Sequence, residues 1–373
     1  MSTDPGLFDE VLARGRVREL VGDRAWLRAM LGVEAALARA QAEAGEIPAE
    51  HAVAIEMAIE QACDASLFDV AALGREAAEH GNPVLPLVNR LRSMVPEEVA
   101  TSVHRAATSQ DILDTAQMVT ARDALDEILS DVDAAVTAAA RLAREHRAVP
   151  MAGRTLMQRA EPVTFGFVAA NWLACLDDAR QWVRRVRETR MVAQFGGAVG
   201  VLPAYKMMGL KNPPMSWHSN RVGVAEVGCA LGTLSGAVAK VAGDVVLLAQ
   251  TEVGEVSEAR PGGSSAMPRK RNPIAAISAR ACAAQAPGLV ATLLAAMAQE
   301  HQRAAGMWHA QWRPMRELLV STGSAVSWLR ACLQGLRVHE EAMLTNLGGV
   351  DASAAISAAT LVVDRAWERM VPP

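Results

Sequence analysis

Residues 224–254 read VAEVGCALGTLSGAVAKVAGDVVLLAQTEVG. Charge appears only at Glu226, Lys240, Asp244 and Glu252, so as a helix this run is apolar nearly all round. A helix without a polar face is buried on every side. Two settings provide that: the centre of one large helical bundle, or a seam where copies of the chain pack together. Small residues at close intervals let helix axes approach one another, which favours the second setting.

Working outward, neighbouring segments carry the same period. Residues 23–44, DRAWLRAMLGVEAALARAQAEA, place Trp26, Met30, Val33, Ala36 and Leu37 on one face with charges opposite. Asp23 fits as the N-cap of this helix and Gly45 as its stop. The segments 109–147 and 163–192 predict further long helices. Hydrophobic residues make up 51% of the chain but aromatics only 4%, and the abundance of Ala and Leu favours helix over sheet. Breaks fall at 80–86, 149–154, 196–214, 261–273 and 348–349. No strand-rich alternation and no repeat of about 20–50 residues stands out. The expectation is an all-α chain of 373 residues. It divides into an N-terminal helical domain at 1–100, a central bundle at 101–335 and a short C-terminal helical segment at 336–373.

Charge and cysteine use exclude several classes. A net charge of −4 without a basic stripe argues against nucleic acid as the partner. Cys63, Cys175, Cys229, Cys282 and Cys332 stand far apart without CxxC pairing. That is the pattern of reduced, buried thiols in a cytoplasmic protein, not of a disulfide framework or zinc site. The opening MSTDPGLFDE lacks the basic and apolar regions of a signal peptide, and no apolar run reaches the roughly 20 residues of a membrane span. The reading is a soluble, cytoplasmic protein without membrane contact.

The chemistry sits in the breaks. Residues 262–273, GGSSAMPRKRNP, cannot be helix interior, because two glycines loosen the backbone and Pro268 and Pro273 block helical hydrogen bonds. Ser264, Ser265, Lys270 and Asn272 follow at fixed offsets, with Arg269 and Arg271 adding charge. A mobile loop of hydroxyls and cations suits a lid over an anion; a solvated basic loop is the plainer alternative. Thr108 to Asp111 reads as a capping box for the next helix, and the same N–H groups and hydroxyls also make a carboxylate site.

Gly263 to Pro273 fits the pattern G-S-S-x-M-P-x-K-x-N-P. HRAATSQD at 104–111, GRTLMQRAEPVTFG at 153–166 and QFGGAVG at 194–200 accompany it in the same order. On these motifs the chain resembles the fumarase/aspartase superfamily, over about residues 8–345. HGNPVLPLV at 80–88, WHSNR at 217–221, EHQRAAGMWHAQW at 300–312 and LVVDRAWER at 361–369 are similar to the branch that lactonises a carboxylated muconate in protocatechuate breakdown. The resemblance implies a long central bundle assembling into a tetrameric multi-helix core. It also implies a homotetramer whose active sites are shared between subunits, a small polycarboxylate substrate, and no metal or organic cofactor. By the same resemblance Ser264 exchanges the carbon-bound proton and His104 is a second catalytic residue. Asn82, Thr108, Ser109, Gln158, Arg221, Ser265, Lys270 and Asn272 then bind substrate.

One position speaks through its chemistry. Many members of the superfamily carry His after GRT; here the residue is Leu156, which has no proton to give. An amine or hydroxide leaves as a strong base and needs a general acid, whereas a carboxylate, whose conjugate acid has a pKa near roughly 4, does not. Leu156 therefore fits a reaction in which the C–O bond belongs to the substrate's own carboxylate. A lyase expelling another stable anion, such as nitrite, from a succinate-like acid also tolerates it. A catalytically silent structural relative is a third reading, and Ser264, Lys270 and Asn272 count against it. The chain departs from the pattern at Arg105, at Ala106 where the superfamily usually has Gly, at Arg269, and at Gln311 where the lactonising branch has Glu.

Overall fold

The computed structural model describes residues 6–64 and 68–370; residues 1–5 of the opening MSTDPGLFDE, 65–67 and 371–373 lie outside the described residues. Four-residue turns of helix aside, the chain begins with α1 (Asp23–Glu43), α2 (Ala49–Asp64), α3 (Val70–His80) and α4 (Val84–Ser93). Then come α5 (Ser109–Glu145), a hairpin of β1 (Pro150–Thr155) and β2 (Gln158–Thr164), α6 (Phe165–Thr189) and α7 (Val222–Leu248). Strand β3 (Val256–Glu258) precedes α8 (Ile274–Ala283), α9 (Ala286–Ala295) and α10 (Trp312–Gln334). Strand β4 (Leu336–Val338), α11 (Glu340–Leu347) and α12 (Ser353–Met370) close the chain.

The long helices form the centre. α5 lies along α6 and α10, and α7 packs against α6, α8, α9 and α10. Trp172, Leu231, Leu234, Val238, Val241, Leu329 and Leu333 are wholly buried between them. The helix start at residue 23 differs by one position from the expectation. Gly22 is the N-cap, while Asp23 Oδ1 accepts a 2.5 Å bond from Arg316 on α10. Gly45 does follow the end of α1, with φ 75°, a conformation glycine adopts without steric cost.

Two features depart from the sequence reading. Short antiparallel ribbons pair β1 with β2 and β3 with β4, so the helical bundle carries a little sheet. The alternation in these strands is only a few residues long and sits among Gly and Pro, where it reads as a break. Second, α7 is buried on one side only within the chain. Val224, Val227, Leu231, Leu234, Val238, Val241 and Val245 face inward. Glu226, Cys229, Thr233, Gly236, Lys240, Gly243 and Leu247, at alternating spacings of three and four, remain partly or fully open. By length and hydropathy α7 is also apolar enough to cross a membrane, with 56% of its most apolar window buried inside the chain. Its few charges interrupt the linear run but leave the mean hydropathy of the window at 1.5.

Of the five cysteines, Cys282 and Cys332 are buried, Cys175 and Cys229 half-buried and Cys63 exposed. The expectation of five buried thiols holds for two. Burial pushes both of those thiols above their ordinary range, well above it for Cys332.

A tight backbone approach lies where α6 leaves the hairpin. A Cβ on Gly166 would stand 2.3 Å from Arg147 Cα and 2.7 Å from Ala143 O. Gly166→Ala is expected to lower stability by about 1–3 kcal/mol in urea denaturation, since backbone cannot yield to it. Gly288→Ala on α9, where no atom lies within 4 Å of the added methyl, is the control and leaves stability unchanged or slightly raised.

Candidate active site

The start of α5 is built around two carboxylates. Asp111 Oδ2 accepts from the Thr108 N–H at 3.0 Å, the reciprocal half of the capping box, and from the Gly197 N–H at 3.0 Å. Its Oδ1 meets His218 Nε2 at 2.7 Å and accepts from Gln194 Nε2 at 3.4 Å. Asp111, Gln194 and His218 are all buried. A negative charge in the first helical turn also matches the positive end of the helix dipole. One side chain thus gathers the segments 104–111, 194–200 and 217–221.

Three residues on, buried Asp114 accepts four hydrogen bonds. These come from Gln110 Nε2 at 3.1 Å, Trp308 Nε1 at 3.0 Å, and Arg221 Nη1 and Nη2 at 2.7 and 3.0 Å. Arg221 Nε donates to Gln311 Oε1 at 3.1 Å, and the guanidinium lies 4.7 Å from the Trp217 ring centroid. Arg221 is 2% exposed. Three of its five N–H donors are engaged within the chain and the side chain is buried, so the expected contact between Arg221 and a substrate carboxylate would require this pairing to open. Arg221 instead joins α5 to the 300–312 segment.

The turn before α5 is strained. His104 and Ala106 have φ 61° and 56°, values that side-chain-bearing residues rarely adopt. Glycine takes that conformation freely, which explains why a Gly is at home at position 106 and what the Ala106 methyl costs. His104 Nδ1 lies 2.6 Å from Glu34 Oε1 on α1. Thr108 Oγ1 accepts from the Arg303 guanidinium, and half-buried Ser109 opens the helix beside it. Asn82 caps the next element: its Oδ1 accepts from Val84 N at 3.0 Å and its Nδ2 donates to His80 O at 3.4 Å. Beside it His309 Nε2 lies 3.0 Å from Gly81 O, which ties 300–312 to 80–88.

The 262–273 loop is closed at its base and open at its tip. Gly262 and Asn272 exchange two backbone hydrogen bonds of 2.9 Å, and Asn272 Nδ2 donates to Gly263 O at 2.8 Å. Below the base, Glu258 caps α8 by accepting from Ala275 and Ala276 N–H at 3.1 and 2.8 Å. Ser264 Oγ accepts from Met267 N at 3.1 Å and Ala266 N at 3.3 Å, so its own proton is left to point elsewhere. Ser265 and Lys270 are exposed.

The third part is the β1–β2 hairpin. Its tip turns through Leu156 and Met157, both with positive φ, and Leu156 is 95% exposed. Gln158 is exposed beside them. Arg154 anchors the hairpin through two bonds of 2.8 and 2.7 Å to buried Glu255. Thr108 and Ser109, Ser264 and Lys270, and Gln158 thus lie on three elements that no hydrogen bond joins among the described residues.

Four residues escaped the sequence reading: Glu34, Asp114, His218 and Arg303. Glu34 and Asp114 look like ordinary polar positions of amphipathic helices. Arg303 carried the only hint, a cation between two polar residues and a run of small ones.

Comparison with known proteins agrees with this architecture. The profile of a lyase family matches residues 10–288. The chain belongs to that family, within the fumarase/aspartase superfamily. It is 42% identical to the 3-carboxy-cis,cis-muconate cycloisomerase of Bradyrhizobium diazoefficiens over 359 residues, 91% of this chain and 79% of the relative. It is 41% identical to the nitrosuccinate lyase of Streptomyces davaonensis over 384 residues, 95% of this chain and 80% of the relative. The crystal structure of the 3-carboxy-cis,cis-muconate lactonizing enzyme of Pseudomonas putida superposes with a TM-score of 0.85 at 35% identity. It covers 98% of this chain and 87% of its own. The helical fold implied by the motifs is the fold observed.

Removing Asp114 strands a buried guanidinium. Asp114→Ala is expected to cost about 3–5 kcal/mol by chemical denaturation. Arg303→Gln, on an exposed residue, leaves stability within about 0.5 kcal/mol of wild type in the same measurement.

Proposed function

We propose that the chain interconverts 3-carboxy-cis,cis-muconate and 4-carboxymuconolactone. Leu156 carries this reading: an apolar side chain stands at the tip where other superfamily members hold a proton carrier. The group it faces must then depart, or attack, as an anion stable on its own, and the substrate's own carboxylate is one. The named relatives supply the substrate class.

Counted as neutral acids the reaction is an isomerisation; from the ionised substrate it takes up one proton, supplied by solvent through Ser264. A carboxylate oxygen bonds to a carbon of the conjugated diene, and the π pair moves to the carbon next to another carboxylate. That carbon takes one proton, exchanged through Ser264. Lys270, Asn272, Thr108 and Ser109 stabilise the enolate-like charge, and Ser265, Gln158 and Asn82 fix the remaining carboxylates. Arg303, on Thr108, fills the place expected of Arg221. Closing the 262–273 loop excludes water, without which a serine hydroxyl is a poor acid or base.

The site is composite. The open stripe on α7, which includes Cys229, Thr233, Gly236 and Gly243, and the exposed Leu156 and Met157 support a homotetramer whose four sites are shared between subunits. Residues 1–100 buttress the start of α5, 101–335 carry every proposed site residue except Asn82, and 336–373 form a short C-terminal unit. The enzyme works in the cytoplasm on a small polycarboxylate, with no cofactor in the scheme.

Leu156 also favours a second reading, elimination of nitrite or another stable anion from a succinate-like acid, in line with the nitrosuccinate lyase relative. An ultraviolet assay separates the two, because the conjugated diene absorbs and the lactone does not. Wild type is expected to bleach 3-carboxy-cis,cis-muconate, and Ser264→Ala to lose at least about 100-fold in kcat. A folded wild type that leaves the muconate untouched but releases nitrite from nitrosuccinate decides for the second reading.

A further inference from the structure

We propose that Glu34 is a positioning residue of the active site: it holds His104 by Nδ1, so that Nε2 is the only ring nitrogen left to meet substrate. Glu34 lies in the interior of α1 between Met30, Val33, Leu37 and Ala38, all buried. Its side chain is 1% exposed and that of His104 15%. Among the described residues His104 is its one hydrogen-bond and ion-pair partner. An ionised carboxylate only accepts, so the hydrogen in a 2.6 Å contact comes from the ring. The hydrogen bond made by one imidazole nitrogen decides which proton the other carries.

A second grip supports the first. Gln41, two turns further along the same face of α1, donates from Nε2 to Arg105 O at 2.9 Å. From α2, His51 Nδ1 lies 2.8 Å from Ser102 Oγ. The turn held in this way contains the left-handed His104 and Ala106 and leads into Thr108. Backbone in that region persists only where its surroundings over-determine it. A buried acid kept only for packing can be exchanged for an apolar residue without loss. Glu34 differs because its carboxylate sets the direction and the tautomer of a ring at the mouth of the site.

The inference rests on the muconate reading for its kinetic arm and is independent of it for its spectroscopic arm. Nitrogen-15 NMR of histidine-labelled wild type, with His104 assigned by its loss in His104→Gln, is expected to show the neutral ring protonated at Nδ1. In Glu34→Leu the proton moves to Nε2. With 3-carboxy-cis,cis-muconate, Glu34→Leu is expected to lose about 100-fold in kcat with KM changed by less than about threefold. Glu34→Gln, which keeps an acceptor for Nδ1–H, recovers to within about tenfold of wild type. If Glu34→Leu does not fold, the wild-type spectrum and Glu34→Gln kinetics decide. A wild-type proton on Nε2, or unchanged kcat in Glu34→Leu, overturns the proposal. Nδ1 protonation in a wild type without muconate turnover upholds the positioning role and removes the substrate reading alone.

Discussion

Asp111 and Asp114 stand three residues apart at the buried first turn of α5, and the site depends on how their charges are satisfied. Carboxylates at that depth are tolerated only with a full set of donors. Those donors come from far along the chain: Gly197, His218, Arg221 and Trp308. Each is a loop or helix-end residue, and Thr115 and Gln110 of α5 add bonds to the backbone of Gln194 and His218. The acids therefore act as fasteners, fixing three remote segments, 194–200, 217–221 and 300–312, around one helix N-terminus.

Rigidity at that end contrasts with the loop at the other. The 262–273 segment is fastened only at its base, by the Gly262–Asn272 pair and the Glu258 cap, and its tip is exposed. In the proposed scheme the fastened helix start binds the anion and the open loop carries the proton, which suits a reaction whose charge develops on carbon only after substrate is enclosed. Leu156 completes the logic. Where the leaving group is already a stable anion, the third element needs shape and dryness, not an acid.

Helix positions were legible in the sequence because α1, α5 and α6 follow from period and α7 from its continuous apolar run, each within about six residues. The capping box at Thr108 and Asp111 was legible because its offset is local. What stayed hidden was pairing across the chain. Arg221 reads as a cation available to substrate until Asp114 is seen beneath it, and Glu34 reads as solvent-facing until the left-handed turn at His104 brings a ring against it. The hairpin at 150–164 was hidden for a different reason, since two short strands around Leu156 leave too little alternation to recognise. The one-sided burial of α7 was hidden because its composition carries no polar face to mark the open side.

The central proposal is a site shared between subunits, with His104 of one copy working beside Ser264 of another. Co-expression of two inactive variants, His104→Gln and Ser264→Ala, tests it directly. Each alone is expected to assemble as wild type and to be inactive. Mixed oligomers are expected to regain turnover that neither parent has, because some sites then draw the intact His104 and the intact Ser264 from different copies. Mixed oligomers of demonstrated composition that remain inactive would contradict the account and place the whole site within one chain.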